Sequence, residues 1–305
     1  MGKVNAYEKV TATILKMVEE TGKLPWQKSW RTLSGANAPK SIRGHVYRGI
    51  NAFILAWVAE EKGYTDNRWI TFKQAKAMGA NVRKGETGIP IVFYNVVEKD
   101  TGEKDENGNA VKSQSFFLRY YTVFNVHQLD NFDDLKSGGA EEVSEGSFSP
   151  VEAAEQVTGE YLSRESIEVR YGGNRACYSP IKDNISMPKH EDFISPAHFY
   201  ATLLHECAHS TGHKSRLNRK DLNAMVPFGS ESYAREELVA EMASAFLYSE
   251  VGLGEEDLSG LYKNTAAYIK GWSEKIKDDP RMFVNACQAA SKAADYIMNR
   301  NGGER

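Results

Sequence analysis

The segment Ser195 to Gly212, SPAHFYATLLHECAHSTG, determines the interpretation of the whole chain. Ser195 is a favourable helix N-cap, and Pro196 fits the first helical position that follows it. Gly212 fits the position just past the end of a helix. Phe199 and Leu203 belong to a largely apolar set between these ends, so we predict one buried helix over this segment.

The sequence HECAH lies inside this predicted helix. His205 and His209 are four residues apart, so both imidazoles should lie on one face and could bind a single metal ion. Glu206 should reach a water on that ion and is the candidate general base of a metal-dependent hydrolase. The alternative is an exposed helix with solvated histidines, but ionisable groups on a buried helix need partners. We therefore expect one divalent ion, with Zn²⁺ favoured and Mn²⁺ also compatible.

A catalytic zinc site of this kind takes three protein ligands. A metzincin would have its third histidine at position 215, which is Ser215. A second predicted helix, SYAREELVAEMASAFLYSEVG at 232–252, offers acidic residues instead. Glu237 and Glu241 share a face of it; we assign Glu237 as the third ligand and Glu241 as the acceptor for the free N–H of a ligand histidine. The reverse assignment, or a role for Glu236, stays open.

An amide hydrolase also needs a donor for the developing oxyanion. Tyr233 lies one turn before Glu237 and is the candidate catalytic donor, with His213 as an alternative. Each has an ordinary structural role to set against this: packing for Tyr233, and a contact at the end of the metal-binding helix for His213.

The composition is that of a globular protein, with 41% hydrophobic and 26% charged residues in 305. No apolar run is long enough to span a membrane, and the amino terminus lacks the pattern of a secretory signal. The three cysteines are too few and too widely spaced for a disulfide framework. These features predict a cytoplasmic protein with no membrane partner.

The net charge of −3 is unevenly distributed: residues 1–129 carry +7 and the remainder −10. A polar segment rich in glycine and serine, 133–149, is the best linker candidate. We therefore predict an α+β protein with two domains. The first, 1–132, should be a mixed α/β domain that contacts nucleic acid, and the second, 150–305, should carry the metal site.

The region from Lys23 to Lys84 holds 12 lysines and arginines, three acidic residues and four of the five tryptophans. Cations that contact phosphates, interleaved with rings that stack on bases, suit single-stranded nucleic acid. The alternative is that most of these rings belong to the core. The candidate DNA-binding residues are Lys40, Arg43, Tyr47, Arg48, Asn51, Trp69, Arg83 and Lys84. Segment 1–132 should retain most of the affinity when isolated.

Several ordered motifs resemble one known family. The segments GHVYRGINAFIL (44–55), RWITFKQAKAMGANVRKGETG (68–88) and YYTVFNVHQLD (120–130) resemble the amino-terminal domain of ArdC-type antirestriction proteins, which also occurs in some plasmid primases. HECAHSTGHKSRLNR (205–219) and YAREELVAEMASAFL (233–247) resemble that family's zincin-like metallopeptidase domain. The resemblance implies single-stranded DNA binding, a mobile genetic element that spreads by conjugation, and protection of incoming DNA from host restriction.

The sequence thus predicts an antirestriction protein that binds single-stranded DNA and carries a metal site. Two other classes of function stay open. One is a cytosolic zinc protease tethered to DNA, whose protein substrate no sequence feature names. The other is a passive coat for single strands, in which the metal is structural.

Overall fold

The computed structural model describes residues 6–27, 38–104, 110–130, 149–223, 231–254, 257–258 and 266–300, without the side chains of 94–104, 110–118 and 266–269. Apart from Ser149, the predicted linker 133–149 lies outside these ranges. Within them the chain forms a mixed α and β structure with two separate sheets.

The amino-terminal part packs helices on a four-stranded sheet with the strand order β1-β2-β4-β3. Its elements are α1 (Ala6–Thr21), β1 (Lys40–Ser41), α2 (Ile50–Glu61), β2 (Arg68–Thr71), α3 (Phe72–Ala77), β3 (Ile89–Lys104) and β4 (Ala110–Asn125). Strand β1 runs parallel to β2, and the other neighbours are antiparallel. Helix α1 is amphipathic because Val10, Ile14 and Met17 recur on one face, and all three are buried.

The sequence predicts a helix from Ile50 to Glu61 and a long hairpin with strands at Ile89–Glu98 and Ser115–Val126. The structure has both, with strands β3 and β4 longer than predicted. Helix α2 is apolar on all sides, and every residue from Ile50 to Ala59 is buried. A helix of this kind must be surrounded by protein, which places α2 between the sheet and the carboxy-terminal helices.

The carboxy-terminal part contains a three-stranded sheet and the two helices that carry the predicted metal ligands. Its elements are α4 (Pro150–Glu165), β5 (Glu168–Tyr171), β6 (Cys177–Ser179), β7 (Asn184–Met187), α5 (Pro196–Ser210), α6 (Lys220–Asn223), α7 (Glu231–Val251), α8 (Ala266–Asp278) and α9 (Pro280–Ile297). The order β5-β7-β6 makes β7 the central strand, whereas the sequence of residues 183–188 predicts only an irregular edge. The parallel partner β5 precedes β6 in the chain, so the pairing passes over the strand between them, which local sequence does not reveal.

Both parts contribute to one continuous hydrophobic core. The ring of Phe53 on α2 lies 4.7 Å from that of Phe246 on α7. Trp26, which follows α1, is fully buried 5.8 Å from both Trp272 on α8 and Phe283 on α9. The amino-terminal part therefore completes its core with the carboxy-terminal helices, and this arrangement argues against independent folding of segment 1–132.

Candidate metal centre

Helices α5 and α7 bring together His205, His209 and Glu237. The two histidine Nε2 atoms are 3.1 Å apart, and the Glu237 carboxylate oxygens lie 3.6 Å from His205 Nε2 and 3.5 Å from His209 Nε2. Ligands about 2.1 Å from a tetrahedral ion are separated by about 3.4 Å. The three side chains therefore fit a single divalent ion and leave one coordination position for water.

Local sequence places the two histidines. The Ser195 hydroxyl accepts a hydrogen bond from the His198 backbone N–H, and Pro196 occupies the first turn, as predicted. The four-residue spacing then points both imidazoles toward α7. Gly212 follows the C-cap residue Thr211, just past the end of the helix as predicted. A Cβ atom there would lie 2.8 Å from the Arg219 guanidinium, so glycine also permits a close approach.

The other nitrogen of His209 contacts Glu236, which corrects the assignment of Glu241. His209 Nδ1 lies 3.3 Å from Glu236 Oε1, so an N–H there donates to the carboxylate and leaves Nε2 free for the ion. Glu241 instead accepts a 2.7 Å hydrogen bond from the indole N–H of Trp26. Helical spacing gave the face on which Glu241 lies, but the tertiary neighbour at that point is Trp26.

The electrostatics favour a bound cation. Burial opposes the charged form of His209, but hydrogen bonds with Glu236 and Glu237 outweigh it and raise the pKa of His209 to about 10. Burial would likewise raise the pKa of Glu237, but its hydrogen bonds with His205 and His209 overcome this and lower it. The carboxylates thus stay charged and hold a proton on the imidazole, a proton that a metal ion would replace.

The candidate general base and the candidate oxyanion donor both border a cavity of about 860 Å³ that the three ligands also line. Glu206 is almost fully buried at this cavity. The Tyr233 hydroxyl donates to Glu237, and burial together with that carboxylate raises the pKa of Tyr233, so it remains a proton donor. His213 lines the cavity with its Nδ1 2.7 Å from the Ser215 hydroxyl. Two cations that the sequence did not single out, Arg175 and Lys214, also line it.

Of the eight residues predicted to bind DNA, Arg43, Arg48, Arg83 and Lys84 are exposed, and Lys40 is half-buried on β1. Arg83 also donates to Glu86 and to the Leu129 carbonyl. Arg43, Arg83 and Lys84 thus present cationic groups at the surface that could contact phosphates.

Arg48 and the three remaining predicted DNA-binding residues contact other parts of the protein. Trp69 is completely buried and Asn51 makes two hydrogen bonds with the Val92 backbone, so neither can contact a strand, and both assignments are corrected. Arg48 forms an ion pair with Asp295 on α9. Tyr47 packs against the core, and burial raises its pKa to about 12.

Within the described ranges, no helix combines the length and the apolar character needed to cross a membrane. Cys177, Cys207 and Cys287 are all free thiols. Burial raises the pKa of the thiols of Cys207 and Cys287, and Cys207 packs on the inner side of α5 as a small apolar residue.

Comparison with known proteins assigns both parts of the chain. Residues 4–124 match the model for the N-terminal domain of anti-restriction factor ArdC, and residues 156–290 match the model for a zincin-like metallopeptidase. Two Escherichia coli proteins named DNA primase TraC are each 36% identical over 96% and 93% of this chain. The chain spans only 27% and 19% of their respective lengths.

Other relatives are matched along nearly their whole length. An uncharacterized protein of Sinorhizobium fredii, y4eC, is 32% identical over 95% of this chain and 91% of its own. Crystal structures of the antirestriction ArdC protein from plasmid R388, metal-free and Mn(II)-bound, superpose with TM-scores of 0.68 and 0.67 at 34% identity. They cover 98% and 97% of this chain and 99% of their own. The chain therefore belongs to the family of ArdC-type antirestriction proteins, with an ArdC amino-terminal domain followed by a zincin-like metallopeptidase domain.

Proposed function

We propose that this protein protects incoming DNA from host restriction, binds single-stranded DNA through its basic amino-terminal part, and holds one divalent ion at His205, His209 and Glu237. Its relatives include a plasmid antirestriction protein and proteins named as primases, which supports a place on a mobile element transferred by conjugation. Three free thiols suit the cytoplasm, where such DNA arrives.

The observation that carries this proposal is the ligand cluster at the wall of an 860 Å³ cavity, within a chain whose other part matches the ArdC amino-terminal domain. An ion bound there would acidify a water molecule and polarise a carbonyl group. Two imidazoles and one carboxylate suit Zn²⁺, and the Mn(II)-bound relative makes Mn²⁺ the second candidate.

The chain's own residues suit hydrolysis of a peptide. Glu206 would accept the proton of the attacking water, because its carboxylate borders the same cavity as the three ligands. The Tyr233 hydroxyl donates to Glu237 in the free protein, and it would turn from that carboxylate to donate to the developing oxyanion. Access to the site is provided by the cavity, which Tyr178 and Ile181 also line.

Single-strand binding would rest on cations that remain exposed after folding. Arg43, Arg83 and Lys84 are exposed and belong to the part of the chain that carries a net charge of +7. Contacts with phosphates are independent of base sequence and sensitive to salt. We therefore expect weak sequence preference and strong dependence on salt. The expected preference for single strands over duplex rests on membership of the ArdC family and not on these phosphate contacts.

The test is transfer of an unmodified plasmid into a restricting host, with the wild-type protein or Glu206→Gln in place. Wild type should raise transfer efficiency, and a lack of protection would refute the antirestriction role. Loss of protection in Glu206→Gln, with DNA binding intact, supports a peptidase that acts on a host protein. Full protection by the variant supports the alternative of a passive coat with a structural metal.

A further inference from the structure

Arg219 makes an unusually complete set of contacts beside the metal centre. Its Nε and Nη2 groups donate to the two oxygens of Glu236 at 2.9 and 2.6 Å. Nη1 donates to the Thr211 hydroxyl at 2.6 Å, and Nη2 also donates to the Ala208 and His209 carbonyls at 2.9 and 3.3 Å. One guanidinium therefore joins the end of α5 to a carboxylate on α7, with the planar geometry that only arginine offers.

The Arg219–Glu236 ion pair is buried, and the missing side chain of Gly212 leaves room for the guanidinium. The side chains of Arg219 and Glu236 are only 11% and 5% exposed. A Cβ at Gly212 would come within 2.8 Å of both Arg219 Nη2 and Leu222 Cδ2, and within 2.9 Å of Arg219 Cζ. Because the φ angle of Gly212 is not positive, this glycine serves the close approach of these two side chains and not an unusual backbone conformation.

The Arg219–Glu236 pair contacts the proposed ligand His209 through one carboxylate oxygen. Glu236 Oε1 accepts from Arg219 and also lies 3.3 Å from His209 Nδ1. The Glu236 carboxylate is therefore the shared acceptor of the Arg219 guanidinium and the His209 imidazole. Its acceptor role keeps the proton on Nδ1 and the lone pair of His209 on Nε2, beside His205 and Glu237.

We propose that Arg219 is a positioning residue of the metal centre, which fixes Glu236 so that Glu236 in turn orients His209 toward the ion. The inference rests on the proposed function, because it requires that the cluster binds metal. Without Arg219, Glu236 is a buried carboxylate that has lost the two hydrogen bonds holding its side chain in place, and it will rotate away from His209. His209 then loses the acceptor that orients its ring.

The rival explanation is that Arg219 only holds the carboxyl end of α5 in place. Arg216 provides the matched control, because its side chain is 2% exposed and it donates to the Ser210 carbonyl at the same helix end. Its other partners are Asp183 and Tyr178, which are not metal ligands. A purely structural effect should therefore appear equally in Arg216→Gln and Arg219→Gln.

The experiment measures the affinity of the full chain for Zn²⁺ by competition with a chelator of known affinity. Far-UV circular dichroism and a thermal melt of the metal-free protein first identify the variants that fold. Arg219→Gln and Glu236→Gln should each weaken Zn²⁺ binding about 10- to 100-fold, and the double variant should weaken it no further than either single change. Arg219→Lys should give a smaller loss, because it keeps the charge without the fork.

Gly212→Ala tests the same chain of contacts without deleting a polar group, and it should also weaken Zn²⁺ binding while Arg216→Gln leaves it within about twofold. If Arg219→Gln does not fold, Gly212→Ala and Arg219→Lys decide the question. Wild-type affinity in the folded Arg219 and Gly212 variants, or an equal loss in Arg216→Gln, would overturn the inference. A wild-type protein that binds no metal would instead refute the proposed function.

Discussion

The metal centre and the basic amino-terminal surface are both defined by polar side chains, yet they relate to the sequence in different ways. The three proposed ligands lie on two helices, where four-residue spacing fixes the face on which a side chain lies. The eight DNA-binding candidates were selected by composition, and folding buries two of them and pairs Arg48 with Asp295. Periodicity therefore predicts a site directly, whereas composition predicts only that a surface exists.

The largest expected effect comes from separating the two regions. Isolated segment 1–132 would expose the core residues that it shares with α7, α8 and α9, including Trp26 and Phe53. We expect this fragment to show no cooperative thermal transition. The free energy that the lost core contacts contribute should exceed the net free energy of unfolding of a typical domain, about 5–15 kcal/mol. Circular dichroism during heating measures this. A cooperative melt with the DNA affinity of the full chain would restore the prediction of independent domains.

The next effect concerns metal stoichiometry. Purified wild-type protein should hold about one divalent ion per chain, and His205→Ala should hold almost none, because two remaining ligands bind weakly. His213→Ala is the matched control, since it removes a histidine from the same cavity that lies outside the ligand cluster. Elemental analysis decides the matter; full occupancy in His205→Ala, or loss in His213→Ala, would rule out the ligand set. Neither His205→Ala nor His213→Ala should change the affinity for single-stranded DNA.

A smaller effect tests the reassignment of Glu241. Trp26→Phe removes the indole N–H that donates to Glu241 and should lower the free energy of unfolding by about 2 kcal/mol, as expected for a hydrogen bond to a charged group. Denaturant titration measures this loss, and Zn²⁺ affinity should stay unchanged. Weakened Zn²⁺ binding in Trp26→Phe or Glu241→Gln would return Glu241 to the role that the sequence suggested.

The smallest effects concern the DNA surface. Replacing Arg43 and Lys84 together by glutamine should reduce the slope of log affinity against log salt by about 1.4, at 0.7 per phosphate contact. Arg48→Gln, the paired cation, should leave that slope unchanged and destabilise the fold by less than about 1 kcal/mol, since the arginine side chain is 44% exposed. Fluorescence anisotropy with a labelled oligonucleotide at several salt concentrations separates these outcomes. Equal slopes for all three proteins would contradict the proposed surface.

These contrasts show how much of the molecule the sequence could predict. Helix α2 begins at Ile50 and ends at Glu61, as predicted, because a largely apolar run follows Gly49. The central place of β7 was missed because its parallel partner β5 precedes β6, so the pairing passes over the strand between them in the chain. Glu241 was misassigned because Trp26, 215 residues away in the sequence, occupies the space beside it. Spacing thus predicts which face a residue lies on, and only tertiary packing determines what meets that face.

The most direct test of the central claim is the anomalous scattering of a crystal grown with Zn²⁺. The account predicts one strong peak per chain, about 2.0–2.2 Å from Nε2 of His205, Nε2 of His209 and a carboxylate oxygen of Glu237. It also predicts that Glu236, and not Glu241, contacts His209 Nδ1. No peak at this cluster, or a peak bound by Glu241 or Glu236 in place of Glu237, would contradict it.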